Sequence, residues 1–141
     1  MSNEAFVKQQ IEECQKRQIP FLESPYYLML GLAKGFNPKK FPLNGLRHPP
    51  EGVTTGWYIW SGEDFSQESD FFEPVHCFHL IESCPEIVKY LGLPPGWRFL
   101  TADNYEDVWS DEKLFDIGPS SSDHMLEFFL KNKKKFLGIG K

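Results

Sequence analysis

Residues 93–100 read LPPGWRFL, and the second half of that stretch opens a segment the chain uses twice. Laid over one another, GWYIWSGEDF (56–65) and GWRFLTADNY (96–105) match Gly with Gly and Trp with Trp. Further along, Ile59 falls on Phe99, Trp60 on Leu100, Ser61 on Thr101 and Glu63 on Asp103. A glycine ahead of the tryptophan admits backbone geometry that a side chain would block. The residues after it send large groups alternately to the two faces of a sheet. Pro94 and Pro95 fix an extended approach and donate nothing to a ladder. Ser61 and Thr101 then stand where each strand hands over to an acidic turn, their hydroxyls placed to bond nearby amides. Either one strand device is used twice, as an internal pseudo-repeat, or a Trp-rich chain matches itself by coincidence.

Working outward, residues 3–18 carry Phe6, Val7, Ile11 and Cys14 at helical spacing, and Pro20 closes that helix. Ser24-Pro25 is expected to start a short helix bearing Tyr26 to Leu32. Residues 37–55 hold four prolines and two glycines and read as a loop. The type of FFEPVHCFHLIESC (71–84) stays open on periodicity alone. Ser83, Pro85 and Glu86 form a capping-box signature for a helix over 84–91, stopped by Gly92 and Pro94. Strands are expected at Trp57–Trp60, at Trp97–Thr101 and around Val108–Trp109. After a turn at 118–122, Met125, Phe128 and Phe129 fall at helical spacing before a lysine-rich end.

The expected architecture is a single α+β domain over residues 1–141, with a small antiparallel or mixed sheet and helices at both chain ends. Its parts are an N-terminal helical portion (1–35), a Pro/Gly-rich loop (36–55), a core sheet region carrying the pseudo-repeat (56–117) and a C-terminal helix (123–136).

Charge is unevenly distributed. Residues 61–116 carry 13 Asp and Glu against Lys89, Arg98 and Lys113, whereas the flanks carry more bases than acids. An acidic surface of this kind either steers a basic partner or pairs with the chain's own basic flanks. Nucleic acid is disfavoured as a ligand, because phosphate binding needs clustered bases and the lone cluster, 131–135, reads as a helix end. No apolar run approaches a membrane span, and MSNEAFVKQQIEEC does not resemble a secretory signal, so a cytoplasmic location is expected. Three cysteines without CxxC spacing argue against a disulfide framework.

Catalytic and metal readings find little support. His76 and His79 in HCFH would need a third ligand such as Asp70, Cys77 or Cys84, and they read instead as partly buried structural residues. Cys77 lacks a nucleophile signature, PSSSD (119–123) is a turn with a helix cap, and neither GWRF nor LGLPPG is a phosphate loop. No catalytic residue, cofactor or metal is expected. A second class is a small-ligand module using Trp57, Trp60, Trp97 and Trp109 with nearby carboxylates.

GWYIWSGED, CPEIVKYLGLPPGWRFL and YEDVWSDE together resemble the Imm33-like immunity domains of bacterial polymorphic toxin systems, over roughly residues 50–117. The resemblance implies an antidote that binds and neutralises a cognate toxin, with no catalytic motif to carry across. The expected partner is a toxin with a basic surface, met by an acidic rim of Glu63, Asp64, Asp70, Asp103, Glu106, Asp107 and Asp111. Tyr105 and Trp109 are the candidate aromatic anchors.

Overall fold

The computed structural model describes residues 2–62 and 70–114. Helix α1 spans Asn3–Arg17; the Ser2 hydroxyl accepts from the Ala5 amide at 3.2 Å, and Gln18 closes the helix in the left-handed conformation. Its buried stripe is Phe6, Gln10, Glu13 and Cys14, while Val7 and Ile11 lie at the margin. The two polar members of the stripe are satisfied. Gln10 bonds both the amide and the carbonyl of Ser24, and Glu13 takes the Arg17 Nε at 2.5 Å.

Six strands follow: β1 (Met29–Ala33), β2 (Leu43–Arg47), β3 (Thr54–Ser61), β4 (Phe72–His76), β5 (Trp97–Ala102) and β6 (Tyr105–Ser110). They form one mixed sheet in the order β4-β1-β3-β2-β5-β6, in which only β1 and β3 run parallel. Between β4 and β5 lie a short helix α2 (His79–Ser83) and a 3₁₀ helix (Pro85–Gly92). The α+β class and the mixed sheet agree with the sequence. The C-terminal helix expected at 123–136 lies outside the described residues.

Three sequence expectations are corrected. The short helix placed at Tyr26–Leu32 is a turn over 26–28 that leads into strand β1, hydrogen-bonded to β3 on one side and β4 on the other. A short apolar run is locally ambiguous, and tertiary pairing decides it. The loop placed at 36–55 contains β2, a wholly buried strand between β3 and β5. Asn44-Gly45 reads as a turn, but a Cβ on Gly45 would lie 2.1 Å from the Phe99 ring, which fills the space over the glycine. Finally, the helix after Ser83 is a 3₁₀ helix without a side-chain cap, since the Ser83 hydroxyl donates back to the His79 carbonyl.

The pseudo-repeat has a structural counterpart. Strands β3 and β5 flank β2, both antiparallel to it. Leu43 faces Ser61 and Thr101, Asn44 faces Trp60 and Leu100, Gly45 faces Ile59 and Phe99, and Leu46 faces Tyr58 and Arg98. Every one of these pairs matches the sequence alignment. Gly56 and Gly96 both have φ +90°. The outer neighbours differ, parallel β1 for β3 and antiparallel β6 for β5, and the ladder to β3 runs one pair further, to Arg47–Trp57.

One face of the sheet carries Leu30, Leu43, Trp57, Ile59 and Phe99 into a core closed by α1 and the 3₁₀ helix through Phe6, Cys14, Ile87, Val88 and Leu91. The opposite face buries Leu46, Tyr58, Trp60 and Phe72, with Leu114 joining them. At the seam of the first core sits Arg47, 1% exposed. Its guanidinium donates to the carbonyls of Thr55 (2.8 Å), Leu22 (2.7 Å), Leu91 (3.2 Å), Leu93 (2.8 Å) and Glu23 (3.3 Å). The fork thus ties the α1–β1 connection, β3 and the end of the 3₁₀ helix to β2, satisfying carbonyls that the helix leaves open. Burial lowers its pKa to about 10, so the cation persists at neutral pH.

Candidate functional site at the β5–β6 hairpin

A two-residue turn, Asp103-Asn104, joins Ala102 to Tyr105 and aligns β6 on β5. Alternation along β6 puts Tyr105, Asp107 and Trp109 on one face, beside Arg98 and Leu100 of β5, and Glu106, Val108 and Ser110 on the face toward α1. Val108 packs onto the first core. Asp103, Tyr105 and Asp107 are exposed, Tyr105 to 59%. Trp109 is half-buried beneath the Arg98 guanidinium, which lies 5.3 Å from its ring and 3.3 Å from the Asp111 carboxylate.

Glu106 plays a different part from its neighbours. It accepts a short hydrogen bond from the Tyr90 hydroxyl, pairs with Arg17 of α1 at 3.0 Å and lies 3.7 Å from Lys89. The Tyr90 bond, helped by Lys89 and Arg17 and opposed by partial burial, holds its carboxyl below the usual carboxylate range. Burial and then Glu106 push the Tyr90 phenol upward. Glu106 therefore fastens β6 to α1 and the 3₁₀ helix. Between the 3₁₀ helix and the hairpin lies a polar cleft of about 350 Å³, lined by Glu86, Lys89, Tyr90, Asp103, Tyr105 and Glu106 among others.

The remaining rim residues separate. Asp70 opens β4 at the same end of the sheet but at its opposite edge, 3.9 Å from Lys34. Four to five inter-strand spacings, roughly 20–24 Å, divide it from the hairpin. Glu63 and Asp64 lie outside the described residues. Six of the nine expected site residues are thus gathered on one hairpin.

Strand β6 is also an edge. Antiparallel ladders alternate, and the closing pair Ala102–Tyr105 turns the main chain of Tyr105, Asp107 and Trp109 toward β5. The amides and carbonyls of Glu106, Val108 and Ser110 point outward, and among the described residues no strand pairs with them. The other edge, β4, contains Pro74, which has no amide to offer.

Elsewhere, His76 and His79 are exposed rather than partly buried, with ring centroids 6.4 Å apart. Among the described residues no group of three or more His, Cys, Asp or Glu is placed to hold a metal ion. Burial raises the thiols of Cys14 to about 11 and of Cys77 and Cys84 to about 12. Trp57 and Trp60 belong to the core, which withdraws two of the four rings from any ligand-stacking surface. No described helix is long and apolar enough to cross a membrane.

The family model of the Imm33-like domain matches residues 9–111. The chain belongs to the Imm33-like family. The match runs from within α1 to the residue after β6, so it takes in all six strands and the whole hairpin. It extends well to the N-terminal side of the 50–117 resemblance, covering β1 and β2. No curated protein and no solved structure matches the chain.

Proposed function

We propose that this Imm33-like protein is an immunity protein that binds a cognate bacterial toxin and silences it by stoichiometric occlusion, without catalysis, in the cytoplasm. The observation that carries this reading is the hairpin: Asp103, Tyr105 and Asp107 stand exposed on a strand that, among the described residues, is the edge of the sheet. Carboxylates on such an edge attract a basic surface and speed encounter. Tyr105, with Trp109 beside it, offers the aromatic contact that lengthens residence. Glu106 and Asp111 hold the hairpin's shape through Arg17, Tyr90 and Arg98. In this scheme Asp70, at the other sheet edge, and Glu63 and Asp64 are further candidate contacts for the partner.

The test is rescue. A basic protein retained by the chain at low salt is expressed alone and together with it. Growth arrest by the partner alone, relieved by co-expression of the wild-type chain, supports the proposal. Arrest that co-expression leaves unchanged counts against it.

A further inference from the structure

A second surface lies at the opposite end of the sheet and at the opposite edge from the hairpin, where β4 ends and α2 begins. His76 pairs with Met29 there, and the chain turns through Cys77 and Phe78 into α2. The Cys77 amide donates to Leu28 at 2.8 Å and the Phe78 amide to Tyr26 at 3.0 Å, while the Tyr26 amide donates to the Asn3 side chain at 3.0 Å. Local main-chain bonds therefore set three rings around one space. Tyr27 and Phe78 each stand nearly perpendicular to Tyr26, at 79° and 68°, with centroids 6.2 Å away in both cases. Phe78 is buttressed by His76, stacked on it at 5.2 Å, and by His79 at 4.6 Å. The two histidines of the HCFH motif thus position a phenyl ring.

The rings, with Ile81 and Glu82, line a cleft of about 470 Å³. Tyr27 is 59% and Phe78 40% exposed, and among the described residues that line the cleft no Lys or Arg occurs, His76 and His79 lying behind Phe78. Exposed aromatic rings beside a carboxylate can receive a cation by ring-face attraction, and the Phe78 face not covered by His76 is one such surface. A planar guanidinium fits best, because it stacks on a ring while its edge donates to Glu82.

We propose that this cleft receives an arginine side chain of the protein partner, as a second contact separate from the hairpin. The inference rests on the protein-binding reading above and extends it to a named side chain.

The test uses the full chain and Nα-acetyl-arginine methylamide, with the citrulline derivative as neutral control, followed by NMR of the aromatic ring signals. Saturable shifts at Tyr26, Tyr27 and Phe78 are expected with arginine and not with citrulline, at a dissociation constant on the order of millimolar. Glu82→Gln and, separately, Tyr27→Ala should each weaken binding about two- to five-fold. Both side chains are exposed, so these variants keep the fold, and Phe78→Ala gives a third check. Equal shifts with citrulline, an unchanged response in Glu82→Gln, or selective binding of tetramethylammonium would each overturn the proposal. The probe contains no toxin, so failure here removes the cleft and leaves the hairpin to its own test.

Discussion

Gly56 and Gly96 share one backbone angle, φ +90°, and deliver Trp57 and Trp97 into two strands that flank β2 in the same register. The doubled Gly-Trp sequence is the imprint of a local symmetry about β2. At Gly56 the constraint is also steric, since a Cβ there would lie 1.9 Å from the His48 carbonyl oxygen.

Gly56→Ala is therefore expected to cost about 3 kcal/mol, combining left-handed strain with a main-chain clash. Gly35→Ala, where a Cβ meets nothing within 4 Å, should stay within about 0.5 kcal/mol of wild type. Urea unfolding followed by Trp fluorescence measures both. Equal costs at the two sites would contradict the assignment.

Arg47 should be equally unforgiving. Arg47→Met leaves several buried carbonyls without donors, each worth about 1–3 kcal/mol, so the variant is expected to unfold at least partly under native conditions. Arg47→Lys keeps the charge but offers one ammonium where a planar fork reaches five carbonyls. A loss of about 2 kcal/mol is expected in equilibrium unfolding. Wild-type stability in Arg47→Lys would show that charge alone suffices.

These features also mark how far the sequence could be read. Strands β3 and β5 show in their alternating large residues and Gly-Trp starts, whereas β6 is legible only around Val108–Trp109. Strand β2 was hidden because Asn44-Gly45 and the prolines around it carry turn chemistry; what makes them a strand is Phe99 lying over Gly45, a contact 54 residues away in sequence. The burial of Gln10, Glu13 and Arg47 is not legible in the sequence, because burial of a polar group depends on partners from other elements. Glu106 is exposed, and only its second attachment, to Arg17, 89 positions earlier, is invisible in the sequence for the same reason.

The three thiols should be inert in the native protein. With pKa values pushed to about 11 and 12, the thiolate fraction at pH 8 is about one part in a thousand or less, and all three sulfurs are buried. Alkylation by iodoacetamide is expected to be negligible until denaturant unfolds the chain. Rapid labelling of a native cysteine would contradict the packing of α1 and α2.

Glu106 gives the fold an acid-sensitive fastening. Its folded pKa lies below the unfolded value, so its contribution is present above the ordinary carboxylate range, about 4.3, and is lost as pH falls through the folded value. The stability gap between wild type and Glu106→Gln should therefore be widest near neutrality and shrink on acidification. High salt should narrow it too, because the Glu106 side chain is 39% exposed. A gap that is constant with pH would assign the loss to packing alone.

The most direct measurement is affinity capture at low salt, with wild-type chain and the Asp103→Lys/Asp107→Lys variant as parallel baits. Both positions are exposed and, among the described residues, carry no salt bridge, so the variant should remain folded. The expected result is one basic protein held by wild type in near-equal amount, released by salt and associating at least tenfold more slowly, on the order expected for lost steering, with the variant. A partner held equally fast and equally tightly by both baits would contradict the hairpin as the toxin-binding surface.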